Sequence, residues 1–574
     1  MQEISDSYYS LIVLKETANC CGLIVRMESI MSTLKKLAAS CLALALCLGV
    51  LSGCMSSLQG AESTPTKSTN SGLALNSAQP NGGLAGAPSA TPSESDGSSP
   101  SNDYLPYNDF SDEEYALITE QGFYSTLARP LSTFSSDVDT ASYANLRRMI
   151  KSGAGLGDIP VDAVRIEEML NYFSYDYATP ASNELFGMTS QVADCPWNPD
   201  TKLLIMGFST EKIDYSQIAG SNLVFLVDVS GSMSSSDKLP LLQDSFDILI
   251  EGLNANDRVS IVTYAGQERV ICEGVPGSEK AKLSSAIHSL KAEGSTNGQA
   301  GLQTAYDIAQ KFFIEGGNNR IIMASDGDLN VGIRSTSDLY NYVTQQRASG
   351  VYLSVLGFGT GNYKDAKMET LADHGNGAYY YIDCIEEAQK VFGEDLCGNL
   401  VTLAKDVKLQ VEFNPEHVKG YRLIGYENRA MTDQDFNNAA ADAGEIGWGH
   451  QITVAYELVM ADSKIDIPIP ELKYQNSDPA LSGSSEWLTC TVRYKDPATD
   501  EGSEDRYTIA AESYTATPSA DWNFAAAVIE TGMIIRDSGH RGSASLDQAS
   551  RLLDNANLED SYKKEFAELM QLLG

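Results

Sequence analysis

One stretch of the chain constrains its fold more than any other. Five apolar residues, Leu223 to Val227, run without interruption and are followed by Asp228, Ser230 and Ser232. A short apolar run that contains β-branched and aromatic residues is typical of a central strand buried on both faces of a parallel sheet. Oxygen-bearing side chains directly after such a strand lie at the carboxyl edge of the sheet, where open α/β sheets bind ligands.

The spacing of these polar residues predicts that they converge. Alternate residues of an extended chain point to the same side, so Asp228, Ser230 and Ser232 can meet at one point. Thr296 follows in a loop that opens a predicted helix, and Asp326 follows an apolar strand. Such an oxygen-rich set suits a hard divalent cation such as Mg²⁺, with Mn²⁺ or Ca²⁺ as alternatives. Alternatively, each residue only caps a helix or forms a turn.

The pattern D-x-S-x-S, then T, then D resembles the metal-ion-dependent adhesion site of von Willebrand factor A (VWA) domains. The resemblance implies that Asp228, Ser230 and Ser232 bind the cation directly. It also implies that Thr296 binds directly or through water and that Asp326 acts mainly through water or behind the direct ligands. A cation with few carboxylate ligands stays electron-poor, so the expected partner is a protein that offers an Asp or Glu carboxylate.

The wider pattern predicts an α/β fold with two flanking parts. Strands alternate with helices over 221–399, which indicates a doubly wound, mainly parallel sheet of the VWA (Rossmann-like) type. Residues 186–220 and the period-two segments within 400–574 predict strands of a β-sandwich into which the VWA domain is inserted. Helices are expected at the end of 400–574 and throughout an N-terminal region over 104–185.

The segments from residue 104 onward resemble the YfbK-like family of bacterial VWA lipoproteins. In the N-terminal region, Ser111 to Glu114 reads as a helix start. Asp137 and Asp139 could form a second cation site, but a solvated, helix-capping role is the favoured interpretation.

The first hundred residues carry the features of a targeting segment. Residues 31–54 combine a charged start, a short apolar run and the ending Leu-Ser-Gly-Cys54, which indicates a signal peptide. The ending resembles the bacterial lipobox, so Cys54 is expected to be lipidated and to anchor the protein in a membrane. Residues 1–30 are interpreted as a misassigned upstream start, and residues 55–103, rich in Ser, Gly and Pro, as a disordered tether. An uncleaved anchor or an ordinary secretory signal is the alternative.

Composition argues against several other partners. The formal net charge of −37 disfavours nucleic acid and anionic lipid as ligands of the bulk surface. The glycine-rich segment 357–361 lacks the third glycine of a dinucleotide-binding loop, so a plain turn is expected and no nucleotide. The ten cysteines form no C-x-x-C pair, and the five histidines are scattered, which disfavours a zinc site.

These observations predict a binding protein and no enzyme. The expected function is that of a lipoprotein on the extracytoplasmic side of a bacterial cell envelope, which binds a protein ligand through a divalent cation. One alternative is a structural envelope protein whose metal only stabilises the fold. A metal-assisted hydrolase is a weaker alternative, because the sequence offers no second metal cluster and no G-x-S-x-G nucleophile.

Overall fold

The computed structural model describes residues 110, 113–182, 184–266, 268–294, 299–327, 336–361, 363–469 and 483–574. The predicted upstream start, the signal peptide with Cys54 and the tether lie outside the described residues. Thr296 also lies outside them.

The strands and helices of the described part form three groups along the chain: one before residue 221, a middle group over 221–400, and one after residue 400. The strands are β1 Tyr124–Ser125, β2 Leu131–Ser135, β3 Gly187–Asp194, β4 Lys202–Ser209, β5 Ser221–Asp228, β6 Arg258–Tyr264, β7 Arg269–Pro276, β8 Asn318–Ser325, β9 Tyr352–Phe358, β10 Tyr379–Ile382, β11 Thr402–Phe413, β12 Val418–Ile424, β13 Gly444–Gly447, β14 Gln451–Met460, β15 Glu486–Lys495 and β16 Gly502–Ala510. The α-helices are α1 Ala141–Lys151, α2 Ile166–Asn171, α3 Leu239–Gly252, α4 Lys280–His288, α5 Gln299–Lys311, α6 Thr336–Arg347, α7 Asp365–His374, α8 Ile385–Gln389, α9 Leu396–Leu400, α10 Asp433–Asn437, α11 Ala520–Ile535, α12 Leu546–Leu553 and α13 Ser561–Leu573.

The middle group forms the predicted doubly wound sheet. Its strand order is β10-β9-β8-β5-β6-β7, and all neighbouring pairs are parallel except β6 with β7, which forms an antiparallel edge. Strand β5 lies inside the sheet, and all its residues are buried. Separate apolar clusters cover the two faces of the sheet. The predicted α/β fold class is therefore confirmed.

Strands from both sides of this α/β segment pair with each other. One antiparallel sheet has the order β1-β12-β14-β4-β3, so strands before and after the α/β segment share it. The other has the order β13-β11-β15-β16, with β2 also paired to β11. Apolar residues of the two sheets form one core, in which the rings of Phe413 on β11 and Tyr421 on β12 stack 4.0 Å apart between centroids. The α/β segment thus interrupts a β-sandwich.

A helical layer covers the outer face of the β3–β4 sheet. Helices α1, α2, α11, α12 and α13 bury a common apolar cluster, which includes Leu203 and Ile205 of β4. Helix α11 is almost entirely buried because its apolar residues extend all around it. Among the described ranges, no helix is both long and apolar enough to cross a membrane.

The N-terminal region combines helices α1 and α2 with strands that the sequence did not predict. It contains strands β1 and β2, and β2 pairs antiparallel with β11 from Leu131 opposite Glu412 to Ser135 opposite Lys408. The helix start expected at Ser111–Glu114 is wrong for its described residues, since Glu114 forms an isolated parallel bridge with Lys364. The pairing of β2 with the distant strand β11 determines the conformation of Leu131–Ser135. Pairing over such a distance has no signal in the local sequence.

The solvated, capping role expected for Asp137 and Asp139 is also wrong. Both side chains are buried, with 3% and 2% of their surface exposed. The guanidinium of Arg429 lies 3.0 Å from Asp137 and 2.9 Å from Asp139. Thr140 is the N-cap residue of α1, and its side chain makes no capping hydrogen bond. The two aspartates therefore join the N-terminal region to the sandwich through ion pairs.

The central strand provides a direct test of this packing. Phe225 on β5 is completely buried, and its ring lies 4.3 Å from the ring of Phe246 on α3 between centroids. Phe225→Ala is expected to lower the free energy of unfolding by about 3–5 kcal/mol, through lost burial and the cavity left behind. Leu117→Ala, at a position with 82% exposure, is expected to change it by less than about 0.5 kcal/mol. Urea unfolding measures both, and equal effects would contradict the packing described.

Candidate metal centre

Asp228 ends β5 at the carboxyl edge of the parallel sheet. It lies beside Tyr264 of the parallel strand β6 and is fully buried. Its Oδ1 atom accepts a hydrogen bond of 2.8 Å from the Ser230 N–H. Its Oδ2 atom is equally buried but has no hydrogen-bond partner among the described residues. One carboxylate oxygen is therefore available for a ligand.

The chain after Asp228 places two hydroxyl groups together. A short 3-10 turn, Gly231–Ser234, begins directly after Ser230. It brings the Oγ atoms of Ser230 and Ser232 to 2.9 Å from each other. Ser230 is buried, with 2% exposure, whereas Ser232 is exposed to solvent. The site is thus open on the side of Ser232.

Asp326 reaches the same edge from the neighbouring strand. Strand β8 pairs in parallel with β5, with Ala324 opposite Val227, and Asp326 is the first residue after β8. Gly327 then turns the chain with φ +95°, and a Cβ atom at this glycine would lie only 2.7 Å from the Lys364 backbone nitrogen. Only glycine combines this φ with so close an approach, so the turn that presents Asp326 depends on it.

The loop that leads to Thr296 lies against the site. Its backbone is joined to the segment after β5 by two hydrogen bonds, from Glu293 N–H to Val229 O at 2.8 Å and from Gly231 N–H to Gly294 O at 3.1 Å. Thr296 itself lies outside the described residues. The structure thus brings Asp228, Ser230, Ser232 and Asp326 to one edge, and it brings the chain before Thr296 to the same edge.

Burial governs the electrostatics of the site. Removal from water raises the pKa of Asp228 to about 6, and the negative charge of Asp326 adds to this shift. Burial and the charge of Asp228 also raise the pKa of the Tyr264 hydroxyl. A buried carboxylate without a counter-ion is costly, and a bound cation relieves this cost.

Lys238 is a residue of this site that the sequence analysis missed. Its ammonium nitrogen lies 2.9 Å from Asp326 Oδ2, and the two side chains are 13% and 5% exposed. Lys238 directly precedes α3, ten residues after Asp228. The sequence places this lysine just before the helix that follows D-x-S-x-S, which could have suggested a role in the site. No local pattern indicates that its side chain reaches Asp326.

The donor set fits a hard divalent cation. Asp228 offers a free anionic oxygen, and the hydroxyls of Ser230 and Ser232 offer neutral oxygens beside it. Oxygen donors without thiolate or imidazole favour Mg²⁺, Mn²⁺ or Ca²⁺ over Zn²⁺. Within the described part of the chain, no three His, Cys, Asp or Glu side chains form a metal-binding group. The candidate centre therefore depends on its serine hydroxyls.

Comparison with known proteins places the chain in a family. It is 43% identical over 456 residues to the uncharacterized protein YfbK of Escherichia coli (strain K12), which covers 77% of this chain and 78% of that protein. The chain belongs to the YfbK family. Residues 398–574 match the family model "Uncharacterized protein YfbK, C-terminal". Residues 109–205 match the model "von Willebrand factor", and residues 223–328 match "von Willebrand factor type A domain".

More distant similarities cover smaller parts of each protein. Inter-alpha-trypsin inhibitor heavy chain H3 of Pongo abelii is 23% identical over 265 residues, which is 43% of this chain and 30% of that protein. A solved structure of a von Willebrand factor type A protein from Catenulispora acidiphila is 15% identical, with a TM-score of 0.40. The match covers 69% of this chain and 92% of that one. The match to the von Willebrand factor type A model places a VWA domain in this YfbK-family chain, and all the described site residues lie within the matched residues 223–328.

Removal of the Asp228 carboxylate tests the metal centre. Saturating Mg²⁺ or Mn²⁺ is expected to raise the melting temperature of the wild type, because a ligand at a hundred times its Kd adds about 2.7 kcal/mol when it binds only the folded state. Asp228→Ala is expected to abolish this rise. In EDTA it should remain folded, since removing an unpaired buried oxygen offsets the lost hydrogen bond from Ser230.

Asp244→Ala is the matched control, since Asp244 is an exposed aspartate on α3. It is expected to keep the full metal-dependent rise in melting temperature. An equal rise in wild type and Asp228→Ala would show that the cation binds elsewhere.

Proposed function

We propose that this protein binds a partner protein through a divalent cation held at the carboxyl edge of its VWA sheet. Asp228, Ser230 and Ser232 would hold the cation directly, with Thr296 and Asp326 completing the site. When bound, the cation supplies an electron-poor centre that attracts a carboxylate oxygen of the partner. The function is recognition, and no chemical conversion is part of the proposal.

The observation that carries this proposal is the buried, unpaired Oδ2 atom of Asp228 next to the paired hydroxyls of Ser230 and Ser232. A single carboxylate among the direct donors leaves a divalent cation with excess positive charge. The exposure of Ser232 leaves the site accessible from solvent. A partner carboxylate can therefore reach a cation at this edge, and magnesium's demand for octahedral geometry makes the approach directional.

Lys238 contributes to the local charge. Its ion pair with Asp326 offsets the negative charge of that carboxylate. A strongly anionic site would satisfy the cation without help. The present site leaves part of the cation's positive charge unbalanced, so the cation can attract an anionic group of another protein. This supports a role in recognition over a purely structural metal.

We also propose that Cys54 carries lipid and anchors the protein in a membrane on the extracytoplasmic side of a bacterial cell envelope. The basis is the sequence: a charged start and a short apolar run precede Leu-Ser-Gly-Cys54, and a Ser-, Gly- and Pro-rich segment follows. A composition of this kind is typical of a tether, so we expect the segment to link Cys54 to the rest of the chain.

Paired peptides test the recognition of carboxylate. An array of peptides that each contain one Asp or Glu, with matched Asn or Gln versions, would be probed with the wild type in Mg²⁺ and in EDTA. Binding is expected only to acidic peptides, only in Mg²⁺, and not by Asp228→Ala. Absence of any difference between acidic and amide peptides would contradict the proposal. A thermal shift with Mg²⁺ under the same conditions would then favour a structural metal, and turnover of peptide, phosphate or glycan substrates would favour a hydrolase.

Metabolic labelling tests the anchor. Cells that express the full chain and are fed labelled palmitate are expected to incorporate label into the protein, and Cys54→Ala is expected to lose it. The mutant is also expected to leave the membrane fraction. Equal labelling of wild type and Cys54→Ala would exclude Cys54 as the lipidated residue.

A further inference from the structure

A cavity lined by several charged side chains lies at the opposite end of the parallel strands from the metal centre. It has a volume of about 660 Å³ and is lined by residues of three parts of the molecule. These are the segment Ser135–Asp139 after β2, the amino ends of β8 and β10, and the sandwich around β11 and β13. Its volume lies within the range of small-molecule sites, about 300–1,000 Å³.

One wall of the cavity holds a buried guanidinium without a carboxylate partner. Arg320 on β8 is only 3% exposed. It donates to Leu400 O at 3.1 Å, to Ser354 Oγ at 2.7 Å and to Thr402 Oγ1 at 3.1 Å, using Nε, Nη1 and Nη2 once each. Arginine has five N–H donors, so one remains on each terminal nitrogen. In the described ranges no carboxylate lies within ion-pair distance of Arg320.

The sandwich side of the cavity holds a carboxylate that forms no ion pair with the described residues. Glu445 lies on β13, and its Oε1 atom is buried and accepts no hydrogen bond from the described residues. Burial and the charge of Asp442 raise the pKa of Glu445 well above its usual value. The charge of Arg347 and, less strongly, that of Arg320 oppose this rise. Arg320 and Glu445 thus line the same cavity, and they do not form an ion pair with each other.

The remaining charged wall is acidic. Asp137, Asp139 and Asp373 all form ion pairs with the single guanidinium of Arg429. Three carboxylates of the cavity lining therefore share one guanidinium, which also lies 3.8 Å from Glu369, and Glu445 adds a further carboxylate to the lining. A ligand would therefore bind more tightly if it directs a carboxylate to Arg320 and ammonium groups to the acidic walls, because both contacts are charge-assisted hydrogen bonds.

We propose that this cavity binds a small zwitterion, an amino acid or short peptide, with its carboxylate on Arg320 and its ammonium group on Glu445. The two unused N–H groups of Arg320 can donate to the two oxygens of a carboxylate, and the Glu445 carboxylate on the sandwich side of the cavity can accept from a protonated amine. The acidic wall favours a ligand with a second amine, so L-lysine is expected to bind more tightly than L-alanine. This proposal is independent of the metal centre.

Calorimetry with the full-length protein tests the proposal with defined probes. L-lysine, L-alanine and the dipeptide Ala-Ala would be titrated in EDTA, together with lysinamide, which lacks the carboxylate, and Nα-acetyl-lysine, which lacks the α-ammonium group. The Kd of L-lysine is expected to be smaller than that of both derivatives by about tenfold or more, as for loss of one charge-assisted hydrogen bond. Failure of all three unmodified probes to bind would overturn the proposal, and so would equal binding of lysinamide and L-lysine.

Substitutions of Arg320 and Glu445 test whether L-lysine binds in this cavity. Glu445→Gln and Arg320→Lys are each expected to weaken L-lysine binding by about tenfold. Glu412→Gln, at an exposed position of β11, is the matched control and should not change it. Glu445→Gln is nearly isosteric and keeps the test informative if Arg320→Lys fails to fold. Asp228→Ala should bind L-lysine as the wild type does, and unchanged binding by Glu445→Gln would overturn the assignment.

Discussion

Burial of strand β5 on both of its faces governs how this chain is arranged. Leu223, Phe225 and Val227 join the apolar cluster on one face of the sheet, and Val224 and Leu226 join the cluster on the other. Because both faces are covered by apolar residues, the polar side chains that can bind a ligand lie at the end of the strand. Asp228 lies there and is still fully buried, so its carboxylate is removed from water before any ligand arrives. The same burial that stabilises the sheet makes this residue a strong acceptor for a cation.

Ion pairs between distant segments join the α/β body to the parts around it. Arg147 on α1 forms ion pairs with Asp383 after β10, with Glu387 on α8 and with Glu565 on α13. Its side chain is 1% exposed. Removal of one member of such a buried cluster leaves an unpaired charge, which costs more than the cluster contributes as a whole. The N-terminal region, the VWA domain and the C-terminal helices are therefore interdependent, although each is continuous in sequence.

How much the sequence predicts depends on the range of the interactions involved. The strands around Phe225 were predictable because their burial is encoded in local runs of apolar residues. Strand β2, Leu-Ser-Thr-Phe-Ser, has little local signal and is specified by its pairing with β11. Asp137 looked like a solvated residue because Arg429, its partner, lies 292 positions away. The site residues Asp228, Ser230 and Ser232 follow a local spacing, whereas Lys238 and the Arg320–Glu445 cavity depend on tertiary structure.

An anomalous difference map from crystals grown with Mn²⁺ would show directly whether a cation binds at this edge. We expect one strong peak at the carboxyl edge of the sheet, with Asp228, Ser230 Oγ and Ser232 Oγ at direct-coordination distance. The peak should lie on the solvent-open side of Ser232, with at least one coordination position left for water or a partner carboxylate. A peak elsewhere, or a cation enclosed entirely by protein ligands, would contradict the account of this edge as a recognition site.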